Sequence, residues 1–369
     1  MRVAYLCNTF GQPDHDRCAA MTRAGLTVQS FDWARADTEY RWENTTKDWA
    51  GHHLIPVGGK GASSLAGLVR LISGLLSARP QVAIIYGYHN RAFFLAAILL
   101  RLIGVSSVTM NDSRFSDYSR TLPKDVLKAI MLLPYRGCLA ASRAAAHYAH
   151  FLGLRRVEVY HCAVDVKRIA AGSAAAFQQT AFADRAFLVV SRFVEKKNLA
   201  RLLDAYERYL EQAGAPRNLR LVGYGPMEAE IRDRVAASPL LSRHVEIVGF
   251  VTVSRVPEYI GSALCLVLPS LSDQFGIVVT EALACGVPAI VSSNCGAADL
   301  VHSWGNGHVV DPEQTDSLSR ALIAIDTDEA TWRGLSDAAR VSADEADVAV
   351  FLSGLKSLLP PRLQSLWPA

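Results

Sequence analysis

Short apolar runs with β-forming character alternate with helical spacings along almost the entire chain, and this alternation constrains the fold more than any other feature. Val3–Cys7, Thr27–Asp32, Val82–Tyr86, Ser106–Met110, Gly137–Ala141 and Val157–Tyr160 read as strands in the first half. Ala186–Val190, Leu219–Val222, Val245–Val248, Ala263–Leu268, Ala289–Val291 and His308–Val310 read as strands in the second. Ser63–Ala78, Ala92–Ile103 and Lys124–Leu133 lie between strands and carry apolar residues at helical spacing. A parallel strand pair needs a long crossover, and a helix supplies it, so the pattern predicts stacked β-α units around parallel sheets. The expected class is α/β, with two Rossmann-like, doubly wound domains. Around Ala170–Asp184 the chain becomes rich in Ala, Gly and Gln and loses clear periodicity, which places the junction there. The expected limits are 1–170, 171–345 and a C-terminal helix and tail at 346–369. Val348–Leu359 is amphipathic and Pro360-Pro361 ends it; the tail beyond, with Trp367, packs back on the N-terminal domain or sits at a membrane surface.

Composition excludes several classes. Of 369 residues, 50% are hydrophobic and 20% charged, which gives enough core for a globular chain and argues against disorder. The apolar run Ala92–Leu100 is bounded by Arg91 and Arg101, far short of the roughly 20 residues a spanning helix needs. Met1–Cys7 alternates like a first strand and unlike a signal peptide, so a cytoplasmic protein is expected. Seven scattered cysteines without a C-x-x-C pair fit neither a disulfide framework nor structural zinc, and are read as reduced, mostly buried thiols. Residues 1–170 hold 21 Lys and Arg against 12 Asp and Glu, whereas residues 171–369 hold 17 against 23. That asymmetry suggests a basic N-terminal domain facing an anionic ligand or surface.

Common nucleotide and metal motifs are absent. Gly223-Tyr224-Gly225 lacks the third glycine of a dinucleotide fingerprint, and Gly58-Gly59-Lys60-Gly61 lacks the remainder of a phosphate-binding loop. Asp14-His15-Asp16 and Asp326-Thr327-Asp328 look like D-x-D pairs but lack a converging set of further oxygens, so no metal is expected. The informative segment runs from Leu268 to Pro288. A strand ends at Leu268, Asp273 suits a helix cap, a helix starts near Phe275, and Gly286 with Pro288 stops it. Such a helix start, at the carboxyl ends of the strands and facing an interdomain cleft, favours a phosphate, and Gly276 lets a ligand approach the backbone. Asp273 and Glu281 are eight residues apart, roughly 12 Å at the helical rise, which brackets an extended sugar nucleotide. A carboxylate accepts from both hydroxyls of a vicinal diol, a reason for acids at both places.

This segment resembles the E-x7-E motif of family-4 retaining glycosyltransferases with the GT-B fold, and its neighbours match in the same order. Ser191-Arg192-Phe193-Val194-Glu195-Lys196-Lys197-Asn198-Leu199 is similar to that family's G-R-L-x-x-x-K-N/G segment. Leu221–Pro226 is similar to its I-V-G-x-G-P turn, Val248–Val251 to the loop beside the base, and Gly296–Val301 with Asn306-Gly307 to later elements. The resemblance covers Ala186 to about Leu322. It implies a donor site of Arg192, Lys197, Gly225, Phe250, Asp273, Gln274, Phe275, Gly276, Ile277 and Glu281, with Arg192 and Lys197 on the diphosphate and Asp273, Arg192, Lys197 and Glu281 as the catalytic set. On the acceptor or sugar side it implies Gly11, His89, Asn111 and Asp112. Here the chain departs from the pattern: Asn111-Asp112 stands where the family often has T-x-H, Cys162-Ala163 replaces Asn-Gly, Asn8–Pro13 lacks a double glycine, and Asp273 replaces Glu.

The implied reaction is transfer of a hexosyl residue from a UDP- or GDP-linked sugar to a hydroxyl of a glycan or polyprenyl-diphosphate-linked glycan, with retention and without a metal or cofactor, in surface polysaccharide biosynthesis. Arg91, Arg101, Lys124, Lys128, Arg136 and Arg143 flank apolar helical stretches. They suit peripheral contact with the inner face of the cytoplasmic membrane, and no nucleic-acid partner is implied. Two other readings stay open, a non-catalytic sugar-nucleotide binder and a sugar-nucleotide epimerase on the same fold.

Overall fold

The computed structural model describes residues 1–33, 52–55, 65–117 and 120–368; the Gly58–Gly61 run lies outside the described residues. The chain divides into two compact units, Met1–Asp165 with Asp347–Ala369, and Val166–Ala346.

Unit 1 begins with β1 (Arg2–Cys7), α1 (Gln12–Arg23), β2 (Thr27–Asp32), β3 (His52–Leu54), α2 (Leu65–Ala78) and β4 (Val82–Tyr86). It continues with α3 (Arg91–Leu102), β5 (Ser106–Asn111), α4 (Leu122–Leu132), β6 (Gly137–Ala140), α5 (Arg143–Phe151) and β7 (Val157–Val159). The strands form one parallel sheet in the order β3-β2-β1-β4-β5-β6-β7. Connections run outward in both directions from β1 and β4, so the switch point where such sheets bind ligands lies between these two strands. One face packs Ala4, Leu6, Ala83 and Ile85 of the sheet with Leu71 and Leu75 of α2, Phe93 and Ala96 of α3, and Ala145 and Ala149 of α5. Helix starts are fixed locally. The Asn90 side chain accepts from the Ala92 and Phe93 amides at α3, and Ser142 Oγ accepts from Ala145 at α5.

Unit 2 contains α6 (Val166–Gln179), β8 (Ala186–Val190), α7 (Leu199–Gln212), β9 (Leu219–Val222), α8 (Glu228–Ala237), α9 (Pro239–His244), β10 (Val245–Gly249) and α10 (Val256–Gly261). After these come β11 (Ala263–Leu268), α11 (Ile277–Ala284), β12 (Ala289–Ser292), α12 (Ala298–Trp304), β13 (Gly307–Val310), α13 (Thr315–Ile325) and α14 (Glu329–Ala343). Its parallel sheet has the order β10-β9-β8-β11-β12-β13, and the switch point lies between β8 and β11. Its core joins Phe187, Val189, Leu221, Val267 and Ile290 to Leu202, Tyr206, Leu318 and Trp332. The chain then returns to unit 1 as α15 (Val348–Leu358) and α16 (Pro361–Gln364). Helix α15 packs on α1, β6 and β7, Leu363 is buried, and Arg362 donates to the Gly104 carbonyl.

The structure differs from the sequence reading in three places. The division falls before Val166, and the stretch read as aperiodic from Ala170 is largely the helix α6. That helix packs on α10 through small residues. A Cβ on Gly261 would lie 2.6 Å from the Ser173 carbonyl oxygen, a contact that leaves no hydrophobic period to read. The edge strand β3 is three residues long, too short to show alternation. Among the described residues, no helix is long and apolar enough to cross a membrane.

Candidate functional site

In unit 2, the loops after β8 and β11 meet at the switch point. After β8 the chain passes Ser191 and half-buried Arg192, makes a single turn at Glu195–Lys197, and enters α7 through Asn198 in the left-handed region at φ 59°. Asn198 Nδ2 donates to the carbonyls of Pro269 (3.1 Å) and Pro312 (2.8 Å), which ties this turn to the loop after β11. The tie sets the neighbouring Lys197, whose Nζ lies 2.5 Å from Asp273 Oδ2; both side chains are about 15% exposed. Ser270 Oγ lies 3.5 Å from the same carboxylate oxygen.

The loop carrying Asp273 is held by backbone on both sides. The Leu271 amide donates to the Lys196 carbonyl, the Asp273 amide to Asn294, the Gly296 amide back to Asp273, and the Ala297 amide to Phe275. Cys295 Sγ also approaches the Phe275 carbonyl, at 2.6 Å. A Cβ on Gly296 would sit 2.3 Å from the Gln274 carbonyl oxygen, so close packing of the two loops requires glycine there. Phe275 is buried and anchors the loop, whereas Gln274 remains partly exposed.

Helix α11 starts two residues later than the sequence implies. Gly276 is its N-cap, at φ 87° and ψ 62°, and Ile277 is its first helical residue. Asp273 therefore does not cap the helix; its carboxylate serves Lys197 and Ser270 instead. The 12 Å spacing to Glu281 also assumed a helix that residues 273–276 do not form. Glu281 is the fifth residue of α11 and partly buried, one turn in from the helix start. A left-handed cap followed directly by a helix turns the first amides toward the carboxyl edge of the sheet, where they suit an anion.

The turn after β9 completes this edge. Gly223 and Gly225 have φ of 148° and 158°, and a Cβ would lie 1.8 Å from the Ser191 carbonyl oxygen on the first and 2.4 Å from that of Phe193 on the second. Tyr224, between them, packs edge-on against exposed Phe250, with centroids 5.3 Å apart. The pair is an aromatic platform beside the loop after β10. Sequence reasoning assigned Phe250 but neither Tyr224 nor the positioning residue Asn198, although each stands inside a motif that it recognised.

In unit 1 the expected residues lie at the carboxyl ends of β1, β4 and β5. Gly11 is the buried N-cap of α1, and its amide donates to Asp14 Oδ2 (3.0 Å). Asp14 Oδ1 accepts from Tyr5 (2.6 Å) and Arg17 (3.2 Å), and Asp16 accepts from the Asp165 amide and Gln12. The first D-x-D pair is thus occupied by the fold. So is the second: Asp326 accepts from Tyr209 and Arg217, and Asp328 caps α14. Asn111 is buried and closes a local turn on Ser113, and His89 is exposed beside Tyr88. Asp112 Oδ2 accepts from Tyr86 Oη at 2.9 Å. Burial raises the Asp112 carboxyl above its ordinary pKa, against the lowering effect of that hydrogen bond, and the same carboxylate pushes the Tyr86 phenol up. At the Asn-Gly replacement, His161 and Cys162 both have φ of 47°, a conformation that glycine adopts without cost. All seven cysteines are unpaired and buried.

Residues 175–342 match the family described as "Glycosyl transferases group 1". The chain carries a glycosyltransferase group 1 domain. The match contains Arg192, Lys197, Asp273 and Glu281; Gly11, His89, Asn111 and Asp112 lie outside it. The chain is 31% identical over 149 residues to the amylovoran biosynthesis glycosyltransferase AmsK of Erwinia amylovora, covering 39% of this chain and 36% of that one. It is 27% identical over 160 residues to the O-antigen chain mannosyltransferase B of Escherichia coli, with 42% of each covered. The matched stretch thus spans about two fifths of these relatives. Along nearly the full chain, the fold is that of the Anabaena protein HepE in complex with UDP, at a TM-score of 0.74, 17% identity, and 97% and 99% coverage. Sucrose-phosphate synthase from Thermosynechococcus elongatus aligns at a TM-score of 0.71 and 19% identity, covering 97% and 98%. The architecture is of the GT-B type. Within the glycosyltransferase group 1 domain, the loops after β8, β9 and β11 gather the motif residues at one edge of the sheet.

Proposed function

We propose that this protein transfers a hexosyl residue from a nucleotide diphosphate sugar to a hydroxyl of a glycan or lipid-linked glycan, with retention at the anomeric carbon. The observation that carries this reading is the Lys197–Asp273 pair at the switch point of unit 2, beside the Gly276-capped start of α11. The cation suits a diphosphate, the carboxylate suits sugar hydroxyls, and Glu281 suits the ribose diol. The likeness to AmsK, of amylovoran biosynthesis, and to the O-antigen mannosyltransferase supports a surface polysaccharide acceptor, and the UDP held by HepE supports a nucleotide donor. In the reaction the anomeric C–O bond to the diphosphate breaks and a bond to the acceptor oxygen forms on the same face. The acceptor proton passes to a phosphate oxygen. Arg192, Lys197 and the first amides of α11 offset the charge on the leaving group, so we assign neutralisation to side chains and backbone instead of to a metal. The same reading places the protein in the cytoplasm.

Calorimetry against UDP, GDP, ADP, dTDP and CMP, with and without magnesium, tests the donor site, with Glu281→Ala as control. One diphosphate is expected to bind without magnesium and to lose affinity in the control. Failure of all five to bind overturns the reading. Anomeric proton couplings of the product then report stereochemistry. Tight donor binding without transfer to any acceptor points to a non-catalytic binder.

A further inference from the structure

Helix α4 in unit 1 is amphipathic in an inverted sense. Leu132 is its buried residue, while Leu122 is 78% exposed, Leu127 57%, and Val126 and Ile130 about half; Leu133, just past the end, is 69% exposed. The apolar surface continues at both ends. Arg101 donates to the carbonyls of Leu133 and Pro134, which sets the end of α3, with exposed Leu102 and Ile103, beside the end of α4. At the other end Arg120 pairs with Asp125 of α4 while lying over the rings of Phe115 and Phe151, both exposed. A continuous exposed apolar strip of this kind on a soluble fold marks an interaction site.

Its charge surroundings identify the partner. From residue 49 to residue 111 the sequence has no Asp or Glu. Residues 65–143 carry ten Lys and Arg and three acids, and each acid is engaged: Asp112 by Tyr86, Asp117 by Arg114 and Asp125 by Arg120. Lys124 and Arg136 are exposed beside the strip. Aliphatic side chains rimmed by cations are the composition of a helix lying in the interface of an anionic bilayer. A second copy of the same face would bring like charge against like charge, which opposes self-association.

We propose that the outer face of α4, with Leu102, Ile103, Phe115 and Phe151, docks unit 1 onto an anionic lipid bilayer, the leucines entering the acyl boundary and Lys124, Arg101 and Arg136 meeting lipid phosphates. The inference stands on this surface alone and does not depend on the proposed reaction. Cosedimentation of the full chain tests it, using phosphatidylcholine vesicles in which about a third of the lipid is phosphatidylglycerol, and vesicles of phosphatidylcholine alone. The anionic vesicles are expected to retain the protein at low salt and release it at about 1 M salt, where the screening length is ~3 Å. Leu127→Asp with Ile130→Asp, and separately Lys124→Glu with Arg136→Glu, are each expected to weaken retention by about tenfold or more while the thermal melt stays unchanged, since these positions are outside the core. No retention of the parent protein, equal retention by neutral vesicles, or retention unaffected by both variants overturns the proposal. A dimer seen by light scattering and dissolved by Leu127→Asp with Ile130→Asp also overturns it and gives the face to a second copy.

Discussion

The lysine assigned to the diphosphate is held by the carboxylate assigned to the sugar, and separating these two residues gives opposite signs in one assay. At 2.5 Å the gross attraction between unit charges is about 7 kcal/mol at an effective dielectric near 20, most of it offset by desolvation of the two groups. The net contribution at about 15% exposure is then on the order of 1–3 kcal/mol. Lys197→Met leaves Asp273 with Ser270 and removes a charge-assisted bond to phosphate, worth about 1.5–3 kcal/mol. Calorimetry of the free nucleoside diphosphate should therefore show Kd rising about 10- to 100-fold. Asp273→Asn removes both the competitor for Lys197 and a negative charge beside the phosphates. The same Kd should stay level or fall, while the preference for the sugar nucleotide over the bare diphosphate disappears. Unit 2 has about 180 residues, for which each kcal/mol moves Tm by roughly 2–4 °C, so Lys197→Met should melt lower by about 10 °C at most. Equal weakening of the bare diphosphate by both variants would refute the reasoning and leave the pair a structural tie.

Other outcomes follow from the same geometry. Because burial raises its pKa, Asp112 opposes folding once ionised; its full benefit exists below the ordinary carboxylate pKa and is lost as pH rises through the folded value. Asp112→Asn should match the parent in melts near pH 3 and exceed it at pH 7, and a parent advantage at pH 7 would count against this sign. Gly223→Ala drives a Cβ into the Ser191 carbonyl and should cost more than about 3 kcal/mol, whereas Gly276→Ala meets only the ends of Leu268 and Cys295 and should cost less, about 1–3 kcal/mol. Denaturant titration orders the two. Cys162→Gly relaxes a left-handed non-glycine residue and should stabilise the protein by about 0.5–1 kcal/mol; a lower Tm would show that the buried thiol contributes more than the backbone strain costs.

Much of the fold is legible in the sequence because parallel strands are buried on both faces and therefore appear as unbroken apolar runs. Val82–Tyr86, Ala186–Val190 and Ala263–Leu268 have the limits that the sequence suggests. The signal fails where packing depends on smallness. Helix α6 uses Ser173 as a contact and buries Ile169, and neither creates a hydrophobic stripe. At the site, the glycines and charges could be read, but their pairing could not. Lys197 and Asp273 are 76 positions apart, and their loops are brought together by the Asn198 bridge to Pro269 and Pro312 and by the Leu271 amide on the Lys196 carbonyl. The start of α11 was misplaced because Asp273 has the chemistry of a cap, while the residue at the cap is a left-handed glycine without a side chain to signal it.

Unit 2 is inserted into the chain of unit 1, and this has a consequence during synthesis. Residues 1–165 emerge with the groove between α1, β6 and β7 unfilled, and the segment that fills it is made only after the whole of unit 2. At about 5–20 residues per second, roughly 10–40 s pass before α15 arrives. Throughout that time the surface of α1, β6 and β7 lacks Phe351, Leu355 and Leu358, which are fully buried in the finished protein. Unit 2 can close on itself as a continuous stretch while unit 1 is still waiting. The later-born half is therefore the first able to mature, and the earlier half depends on chaperones or on its own partial packing until α15 has been made.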